Sequence, residues 1–225
     1  MANALGATDR IAEEIMARIR DGDYVPGQRL VEAGLAQEFE VSRGVIRQTL
    51  HRLSAAGIVD IELHRGATIH RLSRRELGQM YEIRQLLEGH AARAVAAAED
   101  HPAIAAELRR LLDQMAPAVE STDVRAFTTV NAAFHDLILT RARNEYLSRV
   151  LRQMHAQLPR LIYSRLVNPG TMHASHKGHC RIVEAISAGD GDAAERAMRE
   201  HVAESGRAMM ELPDKFFSRD PVGGT

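Results

Sequence analysis

The sequence is short of the residues that mark several classes of protein. It has one cysteine, Cys180, in 225 residues. That excludes an internal disulfide and fits a reducing compartment, the cytoplasm. It has no tryptophan, four tyrosines and five phenylalanines, so its cores must be built from Leu, Ile, Val, Ala and Met. No apolar run approaches the ~20 residues a membrane helix needs. The opening stretch MANALGATDRIAEEI carries acids early and has no apolar h-region, so neither a membrane span nor a signal peptide is expected. The net charge is −1. That argues against a polybasic chain that coats nucleic acid everywhere, and leaves a local basic surface open.

What is present is helical periodicity over most of the length. At 45% hydrophobic, 225 residues are enough for one large domain or two smaller ones. Ile11, Ile15 and Ile19 step by four and predict a helix that Thr8 can cap. Residues 21–30, DGDYVPGQRL, are dense in Gly, Asp and Pro and predict a loop. A short helix over 31–39 turns Leu35, Ala36 and Phe39 inward. A tight turn at Glu40-Val41 leads to Ser42, a good N-cap for a third helix that runs to about Ala56 and ends at Gly57. Residues 58–72, IVDIELHRGATIHRL, alternate with period two around His64-Arg65-Gly66, a β-hairpin signal. Ser73 and Glu76 form a capping-box pair opening a long helix to about Glu99. Further helices fit 103–120, 123–141, 144–166, 171–188 and 190–211, with a loose tail in which Phe216 and Phe217 can dock.

The fold class expected is therefore mainly α: an N-terminal winged helix-turn-helix over residues 1–72, followed over 73–225 by an all-helical bundle of about six helices. In a winged helix-turn-helix the second helix of the pair enters the major groove and reads with its N-terminal residues. Here that helix is basic, with no acid between Ser42 and Val59. Arg43, Arg47 and His51 step by four on one face, flanked by Gln48 and Arg52, while Val45, Ile46, Leu50 and Leu53 form the apolar side. Arginine can pair bidentately with guanine or clamp phosphate, and Ser42 with the first-turn amides can hold a phosphate oxygen. Taken alone, such a face reads most simply as a solvated helix surface. The helix–turn–helix–hairpin context favours DNA.

The stretch PGQRLVEAGLAQEFEVSRGVIRQTLHRLSAAGIVDI resembles the DNA-binding signature of the GntR family of bacterial transcription regulators. Pro26-Gly27, Leu30, Leu35-Ala36, Val41-Ser42-Arg43, Ile46-Arg47, Leu50, Leu53 and Gly57-Ile58-Val59 match in order. The resemblance implies DNA contacts at Ser42, Arg43 and Arg47, with Arg65 and Gly66 in the wing. Gln48 and Arg52 are added from their place on the helix. The chain departs at Gly44-Val45, where the family often has Thr-Pro, and at Ala33-Gly34, where a basic or polar residue is common.

The second half raises a different question. Four polar residues fall on the inward side of predicted helices: Asn131, His135, His179 and His201. Asn131 and His135 are one turn apart beside the stripe Val130, Phe134, Leu137, Ile138. His179 precedes Ile182 by a turn, and His201 shares a face with Ala194, Ala197 and Met198. Buried polar groups need partners, and three neutral imidazoles plus an oxygen suit a divalent ion such as zinc, nickel or manganese. For each histidine alone, a satisfied core or surface histidine is the plainer reading. His173 and His176 complete an H-x-x-H-x-x-H run but sit near the loop Asn168-Pro169-Gly170. Cys180 reads as a packing residue.

Residues 76–210 resemble the ligand-binding domain of the FadR-like branch of that family, called FCD. The landmarks read YEIRQLLEGHAARAVA, NAAFHDLI, HCRIVEAI and MREH. The resemblance implies that Asn131, His135, His179 and His201 hold a metal, Asn131 standing where the family has Asp, and that the metal helps bind a small carboxylate effector. Arg84, in the E-x-R landmark, is the candidate partner for the effector carboxylate, a salt bridge being the alternative. The function expected is a one-component regulator, not an enzyme, that binds a two-fold-symmetric DNA operator as a homodimer. A metal-dependent hydrolase or lyase acting on a small carboxylate is the second reading. An oxygenase is disfavoured because no carboxylate completes the ligand set; Asp136 points ~100° away from His135 around the helix. A regulator with a purely structural metal site is the third.

Overall fold

A computed structural model describes residues 2–62, 66–156 and 168–218. The chain divides into two compact units at Leu72/Ser73, the first taking in short later stretches of chain.

In the first unit, α1 (Ala2–Asp21) buries Ile11, Ile15 and Ile19. Its start differs from expectation. Thr8 lies inside the helix and is buried rather than capping it, because the preceding Ala-Leu-Gly-Ala stretch includes good helix formers and offers no stop. The loop expected over 21–30 also ends early. Arg29–Leu30 forms β1, which pairs with a later strand and buries Leu30. A two-residue strand has no periodicity to detect, and its partner is distant in sequence. Helix α2 (Glu32–Glu38) follows, then the turn at Glu40 with its positive φ of 53°, then α3 (Arg43–Ala55). Ser42 caps α3, its Oγ accepting from the Val45 N–H at 3.4 Å. Gly57, with φ 72°, ends it in the left-handed conformation that only glycine takes without strain.

The hairpin is β2 (Val59–Glu62) and β3 (Gly66–Ile69), antiparallel with Val59 opposite Ile69 and Ile61 opposite Ala67. The three-stranded sheet has the order β1-β3-β2. Its inner face carries Leu30, Val59, Ala67 and Ile69 into one core with the helical residues Ile46, Leu50 and Leu53. The alternation expected for Ile61 gives way: it is 39% exposed, at the far end of β2 where the core has run out.

The second unit is built, among the described residues, from α4 (Arg74–Ala96), α5 (His101–Glu120), α6 (Val124–Arg141), α7 (Glu145–Ala156, as far as Arg152), α8 (Pro169–Ser187) and α9 (Gly191–Met210). The capping box at Ser73 forms, Ser73 Oγ accepting from the Glu76 N–H and Glu76 Oε2 from the Ser73 N–H. Two helices start earlier than expected. Pro102 and Pro169, read as breaks, occupy the first turns of α5 and α8. A proline is tolerated there because its missing N–H is one of the orphan donors. Residues 157–166, expected to continue α7, lie outside the described residues. α9 packs along α4 and α8, and α5 along α6 and α8. Phe127, Phe134, Leu108, Met115 and Ile182 fill the interior. Asp214–Phe216 forms a short 3-10 turn, Phe216 and Phe217 are half-buried, and the Ser218 N–H donates to the Leu72 carbonyl at 3.1 Å.

Candidate functional site

The reading helix α3 turns its apolar side, Ile46, Leu50 and Leu53, into the core. Ser42, Arg43, Arg47, Gln48, His51 and Arg52 are exposed. Two arginines are not bare. Arg47 makes a two-point pair with Glu32 on α2, Nη2 to Oε2 at 3.0 Å and Nε to Oε1 at 3.3 Å. Hydrogen bonding from Arg47 holds the Glu32 carboxyl below its ordinary range. Arg52 pairs with Asp9 on α1. Sequence reasoning missed both acids, because they lie on other helices and only the packing brings them near. Such exposed pairs are screened by salt and can exchange with phosphate. Gly66 begins β3 with φ 87°, and Arg29, exposed on neighbouring β1, lies within 4 Å of where a Gly66 side chain would start. Arg65 lies outside the described residues.

The polar cluster of the second unit is built from three helices. His135 on α6, His179 on α8 and His201 on α9 are all buried. The Nε2 atoms of His179 and His201 each lie 3.3 Å from His135 Nε2. Burial pushes His179 well below the ordinary imidazole pKa, and His201 and His135 push it the same way. Burial, with His135 beside it, brings His201 down to about 3. Both rings are therefore neutral near pH 7, the form that binds metals. Gly178 makes room for His201: a Cβ there would stand 2.7 Å from His201 Nδ1.

Asn131, one turn before His135, has a buried Oδ1 with no hydrogen-bond partner in the protein. Ser175, one turn before His179, has a buried Oγ in the same condition, as does His179 Nδ1. A buried acceptor left without a partner is costly unless something else fills the position. Three buried imidazoles whose ligand atoms lie within 4.8 Å of one another fit a divalent ion.

Arg84 and Glu88 stand behind this cluster on α4. Arg84 is buried, its Nε donating to Glu88 Oε1 at 2.8 Å and its guanidinium lying 4.6 Å from the Tyr81 ring centroid. Burial works against the Arg84 charge, but the Glu88 carboxylate and Tyr81 outweigh it and hold the pKa above its ordinary value. Glu88 was not singled out from the sequence. The signal was there: Leu77, Tyr81, Arg84, Glu88, Ala91, Ala92 and Val95 make one buried stripe with two charges on it.

The remaining histidines of the α8 run are elsewhere. His173 is exposed, its Nδ1 2.7 Å from the Pro169 carbonyl. His176 is half-buried, 3.9 Å from Cys180 Sγ. Both sit on the helix itself rather than beside a loop. Asp136 is exposed and pairs with Arg152 at 2.9 Å. Among the described residues no helix is long and apolar enough to cross a membrane.

A winged helix-turn-helix followed by a helical bundle with an inward polar cluster defines a class, the DNA-binding transcription regulators with an appended sensor-type domain. Residues 7–69 match the family described as bacterial regulatory proteins, gntR family, and residues 79–204 match the FCD domain. The chain belongs to the gntR family, in its FCD-containing branch. It is similar to the galactonate operon transcriptional repressor of Escherichia coli (strain K12), 28% identical over 230 residues that cover 92% of this chain and 99% of the relative. It is 26% identical to the probable D-xylose utilization operon transcriptional repressor of Paenarthrobacter nicotinovorans, covering 86% of this chain and 84% of that one. The fold is similar to that of E. coli McbR/YncC, with a TM-score of 0.75 at 22% identity, covering 90% of this chain and 96% of that structure. Both relatives are named as operon transcriptional repressors, the second as a probable one.

Proposed function

We propose that this chain is a cytoplasmic repressor that binds a palindromic operator as a homodimer and responds to a small carboxylate held at a metal in the helical domain. The observation that carries the sensor half is the buried triad His135, His179 and His201, whose rings converge through Nε2. These residues and Asn131 would hold zinc, nickel or manganese. When bound, the ion supplies a Lewis-acid attraction for the effector's carboxylate. Asn131 is neutral where the family has Asp, so none of the four ligand residues brings a negative charge of its own against an anionic effector. Arg84 stands behind the cluster with its charge paired to Glu88. The named target of one relative, a galactonate operon, supports an acid as effector.

The DNA half rests on the exposed N-terminal face of α3. Ser42, Arg43, Arg47 and Gln48 would reach bases and phosphates, with Arg52, Arg65 and Gly66 on the flanks. The test is direct. A duplex is selected from a random pool with the wild-type protein, and its affinity is measured by fluorescence anisotropy at fixed salt. Arg47→Ala is expected to lose roughly 10- to 100-fold in affinity with unchanged helical circular dichroism. Retained affinity would contradict the assignment of α3.

A further inference from the structure

Glu88 belongs to no ligand set, yet it is the one acidic residue fully buried among the described residues, 1% exposed. A carboxylate is taken out of water at high cost unless something uses its charge. Its Oε1 accepts from Arg84 at 2.8 Å. Its Oε2 stands 3.0 Å from His135 Nδ1, close enough for a hydrogen bond though off the straight line in this geometry, and that nitrogen makes no other hydrogen bond. The opposite nitrogen of the same ring, Nε2, faces the other two imidazoles at 3.3 Å. An imidazole that gives one nitrogen to a metal carries its proton on the other. A carboxylate at Nδ1 favours that arrangement, fixes the ring's orientation and makes Nε2 a stronger donor.

We propose that Glu88 is the positioning residue of the metal centre. It orients His135 through Nδ1–H and supplies, one imidazole away from the ion, the negative charge that Asn131 does not. Arg84 acts through Glu88: buried and held against Tyr81, it fixes the carboxylate in place. The inference rests on the metal reading above and assigns residues outside the four ligands.

The test uses zinc as the probe and the full-length protein. Zinc affinity is measured by competition with a chromophoric chelator for wild type, Glu88→Gln, Glu88→Asp and His179→Ala. Glu88→Gln is expected to bind zinc about 10- to 100-fold more weakly, with Glu88→Asp recovering part of the loss. In parallel, histidine 15N shifts of the wild type report the tautomer of His135, which is expected to carry its proton on Nδ1 with zinc bound. That reading needs no variant and stands if a substitution prevents folding. Unchanged affinity in Glu88→Gln, or coordination of zinc through His135 Nδ1, overturns the proposal. If His179→Ala loses zinc while Glu88→Gln does not, the metal reading holds and only the role of Glu88 falls. If the wild type binds no zinc, nickel or manganese, both fall.

Discussion

At the scale of single residues, chemistry decides what was readable. His135, His179 and His201 stand out because a polar side chain at a core position of a helical stripe needs a reason. Their separations of 44 and 66 residues from His135 carry no such information; three helices had to pack before the rings met. Burial then has a measurable consequence. Folding holds His179 and His201 neutral, His201 down to about 3 from an ordinary 6.5. Below pH ~6.5 the unfolded chain therefore binds more protons than the folded one, and stability falls with falling pH. The metal-free protein should lose roughly 1 kcal/mol per pH unit for each such ring on acidification through that window, and show no such slope above it. Urea midpoints of chelator-treated protein from about pH 7 to about pH 4 check this, against His201→Gln, in which the slope should shrink. An unchanged slope in the variant would contradict the burial of that ring in its neutral form.

At the scale of elements, local signals placed most of the helices and missed what tertiary contact creates. The Ser42 cap and the Ser73/Glu76 capping box form where side-chain spacing puts them. β1 was missed because its two residues are strand only by pairing with β3. Glu32 and Asp9 were missed for the same reason, as partners recruited from α2 and α1 to arginines of α3. The crossing of α8 and α9 shows how an element's packing shapes the site. Gly178 lies against His201, and a methyl group there would stand 2.7 Å from its Nδ1. Gly178→Ala must push that ring out of register while leaving all three imidazoles in the sequence. Its metal affinity should drop by at least tenfold, with helical content retained and the cost to stability in the overpacking range of about 1–3 kcal/mol. Wild-type metal affinity in this variant, measured by chelator competition, would mean that the approach of α8 to α9 does not set the site.

At the scale of the whole molecule, two compact units of different chemistry share one chain: a basic reading surface and a buried imidazole cluster. Composition hid this division, because a net charge of −1 averages over both. Regulation requires that the two sites be coupled, and coupling is reciprocal: a factor by which effector changes operator affinity is the factor by which operator changes effector affinity. The most direct measurement is an anisotropy titration of the selected operator with metal-loaded protein, with and without galactonate and a panel of other small carboxylates, for wild type and His179→Ala. The expected result is a shift of roughly 5- to 150-fold in operator affinity with one acid of the panel in the wild type, and no shift in His179→Ala at unchanged effector-free affinity. An equal shift in both proteins, or operator binding indifferent to every acid and to removal of the metal, would contradict the imidazole cluster as the sensor.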